Sequence, residues 1–143
     1  MAVAVNPDKH IRKAVFDLVN NITVNSKTIK CFDVRVTGNA NLNEYVLLTS
    51  QTKNVLKPNK CDYQWETSLL IEIYTKTSSA GNSASRVLLN DIENAVYTLL
   101  SPKVTISGFN TLIQNTTFET QLETVTTTEN IFRSFIRLNL TLI

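Results

Sequence analysis

The sequence predicts an α+β fold: a mostly antiparallel sheet with two helices packed on one face, in the order α-β-β-β-α-β-β. Residues 63–76 alternate with the two-residue period of a strand that buries one face. Residues 87–99 instead carry apolar side chains at helical spacing. The last stretch, 131–143, returns to the period of a strand, and this order of patterns is typical of helices segregated to one side of a sheet.

The first element is a helix from Pro7 to about Asn20. Asn6 can cap it, Pro7 suits the first helical position and Asp8 favours the positive end of the helix dipole. Its apolar stripe consists of Ile11, Ala14, Val15, Leu18 and Val19, which leaves Lys9, His10, Lys13 and Asp17 towards water.

Strands are predicted next. One lies within Lys27 to Thr37, with Phe32, Val34 and Val36 on its inward face, and a short buried strand covers Tyr45 to Thr49. Gln51 to Asp62 has no period and contains Pro58, so we expect a loop. The long strand then buries Tyr63, Trp65, Thr67, Leu69, Ile71, Ile73 and Thr75.

The second half adds a helix and a closing hairpin. The helix buries Val87, Leu88, Ile92, Ala95, Val96 and Leu99, and Pro102 marks its end. Of the hairpin strands, one has Leu112, Gln114, Thr116, Phe118, Thr120 and Leu122 on a single face, and the other has Phe132, Ser134, Ile136, Leu138, Leu140 and Leu142. A turn is expected at 126–130.

Composition bounds the class of protein. A chain of 143 residues is about one domain long, so we expect one domain over residues 1–143. The hydrophobic fraction of 43% and charged fraction of 18% exclude a charge-rich disordered chain, and a net charge of +2 predicts no bulk affinity for nucleic acid. The start lacks the pattern of a secretory signal, and no stretch reaches the roughly 20 apolar residues that span a bilayer. We therefore expect a cytoplasmic protein without a membrane partner, in which Cys31 and Cys61 are reduced thiols.

No chemistry is visible in the pattern of reactive residues. The one histidine, His10, has no cysteine or carboxylate cluster at ligand spacing, and the two cysteines lack the spacing of zinc or redox motifs. We expect no catalytic residue, no cofactor and no metal, and hence no enzyme. Lys53, Lys57 and Lys60 could touch a DNA backbone or an acidic partner, although a merely solvated loop is the favoured interpretation.

The outward face of the sheet is unusually apolar, since it keeps Leu70, Tyr74, Ile131, Phe135 and Ile143. Such a face usually marks contact with another subunit or a covering element. Glu66 and Glu72 with Arg133 and Arg137 could pair across a ring of identical chains, which is a hypothesis. The candidate interface residues are Leu70, Tyr74, Arg133, Phe135 and Arg137, with Lys53 and Lys57 from the predicted loop.

The layout resembles a known family. The helix 11–16, the strand 65–76, the helix 92–100 and the closing strand 132–138 look like those of the tail-terminator or tail-completion (head-tail joining) proteins of long-tailed bacteriophages. The resemblance implies a virion protein, assembled in the host bacterial cytoplasm, whose identical subunits form a ring, commonly a hexamer. It further implies the tail tube and the head-side connector as partners, with genomic DNA passing through the lumen without sequence-specific contact. A related neck or connector ring would share the pattern.

A different class of protein is the alternative. A small α+β ligand-binding or enzymatic domain would place a pocket between the helices and the curved sheet, around Trp65 and Tyr63. Its weakness is the missing cluster of polar groups that such a pocket needs.

Overall fold

The computed structural model describes residues 6–33, 43–56, 63–78, 84–119, 121–125 and 129–143. These residues form the helices α1 (Asp8–Val19) and α2 (Ala84–Leu100) and the strands β1 (Ile22–Val24), β2 (Lys27–Ile29), β3 (Cys31–Phe32), β4 (Glu44–Leu56), β5 (Gln64–Ser78), β6 (Thr111–Phe118), β7 (Leu122–Val125) and β8 (Glu129–Leu142). The predicted α+β class is confirmed, and the short strands β1, β2 and β7 add to the predicted order.

The main sheet has the strand order β3-β4-β5-β8-β6, and β7 also pairs with β8. Every pairing in it is antiparallel except that of β3 with β4. Strand β8 lies inside the sheet: β5 pairs along its whole length on one side, while β7 and β6 pair with its first and second halves on the other. Strands β1 and β2 form a separate antiparallel hairpin.

The core lies between the two helices and one face of the sheet. Ile71 of β5 is in register with Ile136 of β8, and both side chains are fully buried. The predicted alternation is confirmed along β8, which buries Phe132, Ser134, Ile136, Leu138, Leu140 and Leu142, and on β5 for Thr67, Leu69, Ile71, Ile73 and Thr75. Tyr63 and Trp65, predicted to be buried, are half-buried, and Ser68 on the opposite face is also buried. The helices cover this face with Ile11, Val15 and Val19 of α1 and Leu89, Ile92, Val96 and Leu100 of α2.

The segment between α2 and β6 is fixed by one side chain. The Gln114 amide nitrogen donates to the carbonyls of Leu100 and Pro102, and its oxygen accepts from the Val104 amide at 2.8 Å. The last carbonyls of a helix have no partner within the helix, so these bonds satisfy the end of α2. Val104 and Ile106 are buried beyond it.

The inward face predicted for the first strand is wrong. Ile29 and Cys31 are buried, whereas Phe32 is half-buried, and Val34 and Val36 lie outside the described residues. The β1–β2 hairpin orients this stretch, and the Asn20 side chain accepts from the Cys31 amide at 3.1 Å. The bulkier Phe32 therefore lies on the opposite face, edge-on to Tyr45.

The predicted loop at Gln51 to Asp62 is wrong over its first half, because β4 continues to Leu56 in register with β5. A β-bulge between Leu48 and Gln51 breaks the two-residue period, and this break made the strand look shorter than it is. Residues 57–62 lie outside the described part of the chain.

Two further differences concern helix α2 and the hairpin. On α2 the buried stripe passes through Leu89 and Leu100, while Val87, predicted to be buried, is 54% exposed.

The predicted penultimate strand is two strands, β6 and β7, and Thr120 between them is outside the described residues. Its predicted common face is not kept beyond Phe118. Residues 129 and 130 belong to β8 rather than to the expected turn, whose residues 126–128 are not described.

Helix α1 is attached to the β4 bulge by the Arg12 guanidinium. It donates to the carbonyls of Leu48 and Thr49, to the Gln51 side chain at 3.0 Å and to Asp33 at 2.6 Å. A bulge interrupts the ladder of hydrogen bonds and leaves such carbonyls without a strand partner. Arg12 thereby compensates for the irregularity of β4.

We expect Arg12→Ala to lower the free energy of unfolding by about 1–3 kcal/mol, because part-buried carbonyls lose their donor. Urea denaturation measures the change. Lys13→Ala is the matched control: Lys13 pairs only with Asp17 in an exposed ion pair, and its removal should change stability by no more than about 0.5 kcal/mol. Equal effects of the two substitutions would contradict this role of Arg12.

Candidate functional site: the outer face of the sheet

The face of the sheet opposite the helices, here called the outer face, carries a band of half-buried apolar and paired charged side chains. These are Tyr45 and Leu47 of β4, Leu70, Glu72 and Tyr74 of β5, and Phe135 and Arg137 of β8, with the more exposed Arg133 beside them. They occupy the positions that alternate with the core residues of the same strands. The structure thus brings together the predicted residues Leu70, Tyr74, Arg133, Phe135 and Arg137 on one surface.

Aromatic rings run across one end of this band. Phe32 meets Tyr45 edge-on with 6.0 Å between ring centroids, and Tyr45 stacks on Tyr74 at 4.6 Å. The Arg133 guanidinium lies 5.7 Å from the Tyr74 ring centroid. Burial raises the pKa of Tyr45, and the nearby Glu72 and Tyr74 raise it further while Arg133 opposes them. Tyr45 therefore carries a neutral hydroxyl at pH 7.

Arg133 and Arg137 of the outer face are each paired with a carboxylate of the same chain. Arg133 contacts Glu72 at 3.4 Å, and Arg137 contacts Glu119 at 3.0 Å and donates to the Ser68 hydroxyl at 3.0 Å. The hypothesis of pairing across a ring named these arginines with Glu66 and Glu72. In the single chain both arginines already have carboxylate partners, so pairing between subunits stays a prediction for the assembled form.

A groove opens on the outer face where the sheet edge passes from β6 to β7. It has a volume of about 210 Å³ and is lined by Leu70, Glu119, Leu122, Phe135 and Arg137; we call it the outer-face groove. Leu122 and Glu119 were not among the predicted interface residues. The four residues of β7 are too few for an alternation to assign Leu122 to a face, and the edge of the groove is created by the gap between two strands.

The remainder of the outer face is mostly polar, with the exposed Ile113 among its hydroxyl and amide groups. A second groove of about 440 Å³ runs past Thr52, Asn54, Glu66, Ser68, Asn115, Asn139 and Thr141. The Asn139 amide donates to Asn115 at 2.9 Å and to the Thr117 hydroxyl at 3.0 Å, so these groups largely satisfy one another. Apolar residues are therefore concentrated at one end of the face and hydroxyl and amide groups at the other.

Of the two lysines predicted as interface residues, Lys53 lies away from the outer face. The Lys53 ammonium pairs with Asp8 at the start of α1, and Lys53 is in register with the inward-facing Thr67. It therefore points to the helix side, away from the outer face. Lys57 lies outside the described residues, as do Lys60 and Cys61.

The reactive residues give no catalytic geometry in the part of the chain that is described. His10 is half-buried with its ring centroid 6.1 Å from that of Phe109, and no group of histidine, cysteine or acidic side chains there could hold a metal. None of the described helices is long and apolar enough to cross a membrane. Trp65, around which a ligand pocket was the alternative, packs against the hydrophobic core.

Burial, with a smaller contribution from Asp33, raises the pKa of the Cys31 thiol to about 12. An unfolded thiol titrates near pH 8.5, so the folded chain binds the extra proton between that pH and about 12. We therefore expect Cys31 to contribute stability that is complete below about pH 8.5 and lost as the pH rises towards 12. Denaturation of the wild type and of Cys31→Ala at a series of alkaline pH values measures this, and a Cys31→Ala curve with the same slope would contradict it.

A second exposed apolar region was missed at the sequence level. It follows the β6 and β7 edge of the sheet and consists of Leu112, Ile113, Phe118, Leu122 and Val125, together with Tyr97 of α2. The Tyr97 and Phe118 rings pack against each other with centroids 5.1 Å apart. Aromatic residues at the right period look like core residues in a sequence, and only the position of β6 at the sheet edge leaves these exposed.

The sequence matches no known family model and no curated protein. Among solved structures, the fold is similar to a chain in the virion of a native gene transfer agent particle, with a TM-score of 0.51 and 14% sequence identity. The similarity covers 94% of this chain and 90% of that chain. At this identity the likeness shows a shared fold over nearly the whole length.

Proposed function

We propose that this chain is a structural subunit of a phage virion, and that identical copies form a ring at the head-proximal end of the tail or in the head-tail neck, joining the tail tube to the connector. The observation that carries the proposal is the outer face, where Leu70, Phe135 and the Tyr45–Tyr74 stack lie half-buried among charged side chains that are paired within the chain. Apolar side chains that a sheet face leaves partly exposed mark contact sites, because their exposure to water is unfavourable.

The position of the apolar surfaces favours a ring over a two-fold dimer. The half-buried apolar residues Leu70 and Phe135 lie on the outer face, whereas the exposed rings of Tyr97 and Phe118 lie on the helix side of the sheet. A subunit that contacts its neighbour through two different surfaces propagates head to tail, and the series ends only when the rotation closes a ring. The sheet edges and the outer face are thus the contacts we propose between copies.

The fold supports a place in the virion. The chain from the gene transfer agent virion shares it over most of both chains, which supports a common type of building block. The finer role at the tail end rests on the resemblance, in the order and pattern of the elements, to the tail-terminator and tail-completion proteins of bacteriophages. Both arguments are independent of the outer face itself.

The charge distribution supports passage of DNA without sequence-specific contact. The outer-face arginines are neutralised by Glu72 and Glu119, so they offer few free cations to phosphates. On this proposal the chain has no catalytic residue and needs no cofactor, and its partners are other copies, the tail tube and the head-side connector.

Sedimentation and negative-stain imaging of the purified chain test the proposal. We expect a multiple of the monomer mass and particles with a central hole. Because the contact is mainly apolar, the assembly should persist in sulfate salts, which strengthen burial of apolar surface. A chain that sediments as a monomer at high concentration in every salt, and that shows no rings, would contradict it.

A further inference from the structure

We infer that the outer-face groove of one copy receives the Tyr97–Phe118 ring pair of the next copy. This inference rests on the proposed function and names the surface that pairs with the outer face. It is carried by the position of the ring pair, by the neutral lining of the groove and by its size.

The ring pair lies on the helix side of the sheet. Phe118 is in register with Ile136, whose side chain is buried beneath the helices, and Tyr97 comes from α2. Tyr97 is 40% exposed and Phe118 50% exposed, although their rings contact each other. Two adjacent exposed aromatic rings held by a helix and a strand form a rigid projection of the kind that supplies much of the energy of an interface.

The groove complements an uncharged aromatic group. Its floor is formed by Leu70, Leu122 and Phe135, and its charged residues, Arg137 and Glu119, neutralise each other at 3.0 Å. A charged occupant would bury an unpaired charge there, whereas an aromatic ring would bury none and could lie against the Arg137 guanidinium. A nucleic acid would find no free cation in this lining.

The size of the groove fits an aromatic side chain better than a small-molecule ligand. Its volume of about 210 Å³ is below the range of about 300–1,000 Å³ that is usual for small-molecule sites. Its lining is mostly apolar, and the space suits a ring or two from a protein surface. A second copy of this chain supplies that chemistry at Tyr97 and Phe118.

The geometry also explains why contacts would propagate. The ring pair and the outer-face groove lie on opposite sides of the sheet, so one copy uses its helix side and the next uses its outer face. In an open head-to-tail oligomer, the copy at one end has an unoccupied groove and the copy at the other end has an exposed Tyr97–Phe118 pair. When the oligomer closes into a ring, these two surfaces bind each other.

Mixing two cysteine variants tests the inference. Both variants carry Cys61→Ser. The first also carries Tyr97→Cys, and the second also carries Leu70→Cys. A short bismaleimide then links cysteines that lie close together. We expect a linked dimer in the mixture and little in either variant alone, because the two residues meet only between copies. Val87→Cys replaces Tyr97→Cys as the control, since Val87 is an exposed residue of the same helix, and its mixture should give little linked dimer.

The outcomes separate the inference from the proposed function. If the mixture assembles into oligomeric rings but gives no linked dimer, the inference is overturned and the proposal of a ring-shaped assembly is left intact. Equal linking through Val87→Cys would have the same meaning. Phe118→Ala checks the same contact without cysteines. An oligomeric assembly of unchanged stability in that variant would also overturn the inference. Absence of any assembly by the wild-type chain would overturn both.

Discussion

Phe135→Asp should abolish assembly while the monomer stays folded. Phe135 lies in the middle of the outer face and lines the outer-face groove, so the new carboxylate would be buried against apolar groups of a neighbouring copy. An unpaired charge buried in an interface costs more than the contact can return. We expect sedimentation to show only monomer, with the circular dichroism spectrum of the wild type.

The fold tolerates this change because Phe135 does not face the core. A strand position on a half-exposed face changes stability by about 1 kcal/mol across residue types. Phe135→Leu is the control, since it keeps an apolar side chain and should keep the assembly. Unchanged rings in Phe135→Asp would mean that the outer face is not the contact surface.

Ile136→Ala should have the opposite effect, namely a large loss of stability with no direct effect on the outer face. Ile136 is the next residue along β8 and is fully buried, in register with Ile71 on one side and Phe118 on the other. Removing its outer carbons leaves a cavity in the centre of the sheet, and such a substitution costs about 2–5 kcal/mol. Ile136→Ala is introduced into the monomeric Phe135→Asp variant, and urea denaturation of the two proteins then measures the loss in free energy of unfolding without a contribution from assembly.

Thr141→Ala provides the comparison on the same strand. Its side chain lies on the outer face among hydroxyl and amide groups, and we expect a change of no more than about 0.5 kcal/mol, as for most surface substitutions. A similar loss for Ile136→Ala and Thr141→Ala would contradict the proposed contribution of packing on the inner face of the sheet.

The long central strands could be predicted because each obeys one rule over many residues. Burial alternates from Leu69 to Thr75 on β5 and from Phe132 to Leu142 on β8. Both are flanked by other strands and covered by helices on one side only, so the two-residue period is complete in the sequence. The same argument assigned Leu70, Tyr74 and Phe135 to the opposite face.

The edges of the sheet could not be predicted because tertiary contacts replace the pattern there. The distal half of β4 is rich in polar residues and follows a bulge that only the Arg12 side chain makes tolerable, from 36 or more positions away in the sequence. Strand β3 is two residues long, too short to show which face Phe32 takes. The outer-face groove could not be predicted either, because Glu119 and Leu122 flank a break between strands, where no two-residue period assigns a side chain to a face.

The place of β8 inside the sheet has a consequence for synthesis. Strand β8 follows β5, β6 and β7 along the chain, so a ribosome completes its three partners before it emerges. Until then β5 and β6 present two facing strand edges with nothing between them, and unpaired edges attract other strands. Chains interrupted before Glu129 should therefore aggregate, and only a fully translated β8 allows the nascent polypeptide to complete its sheet.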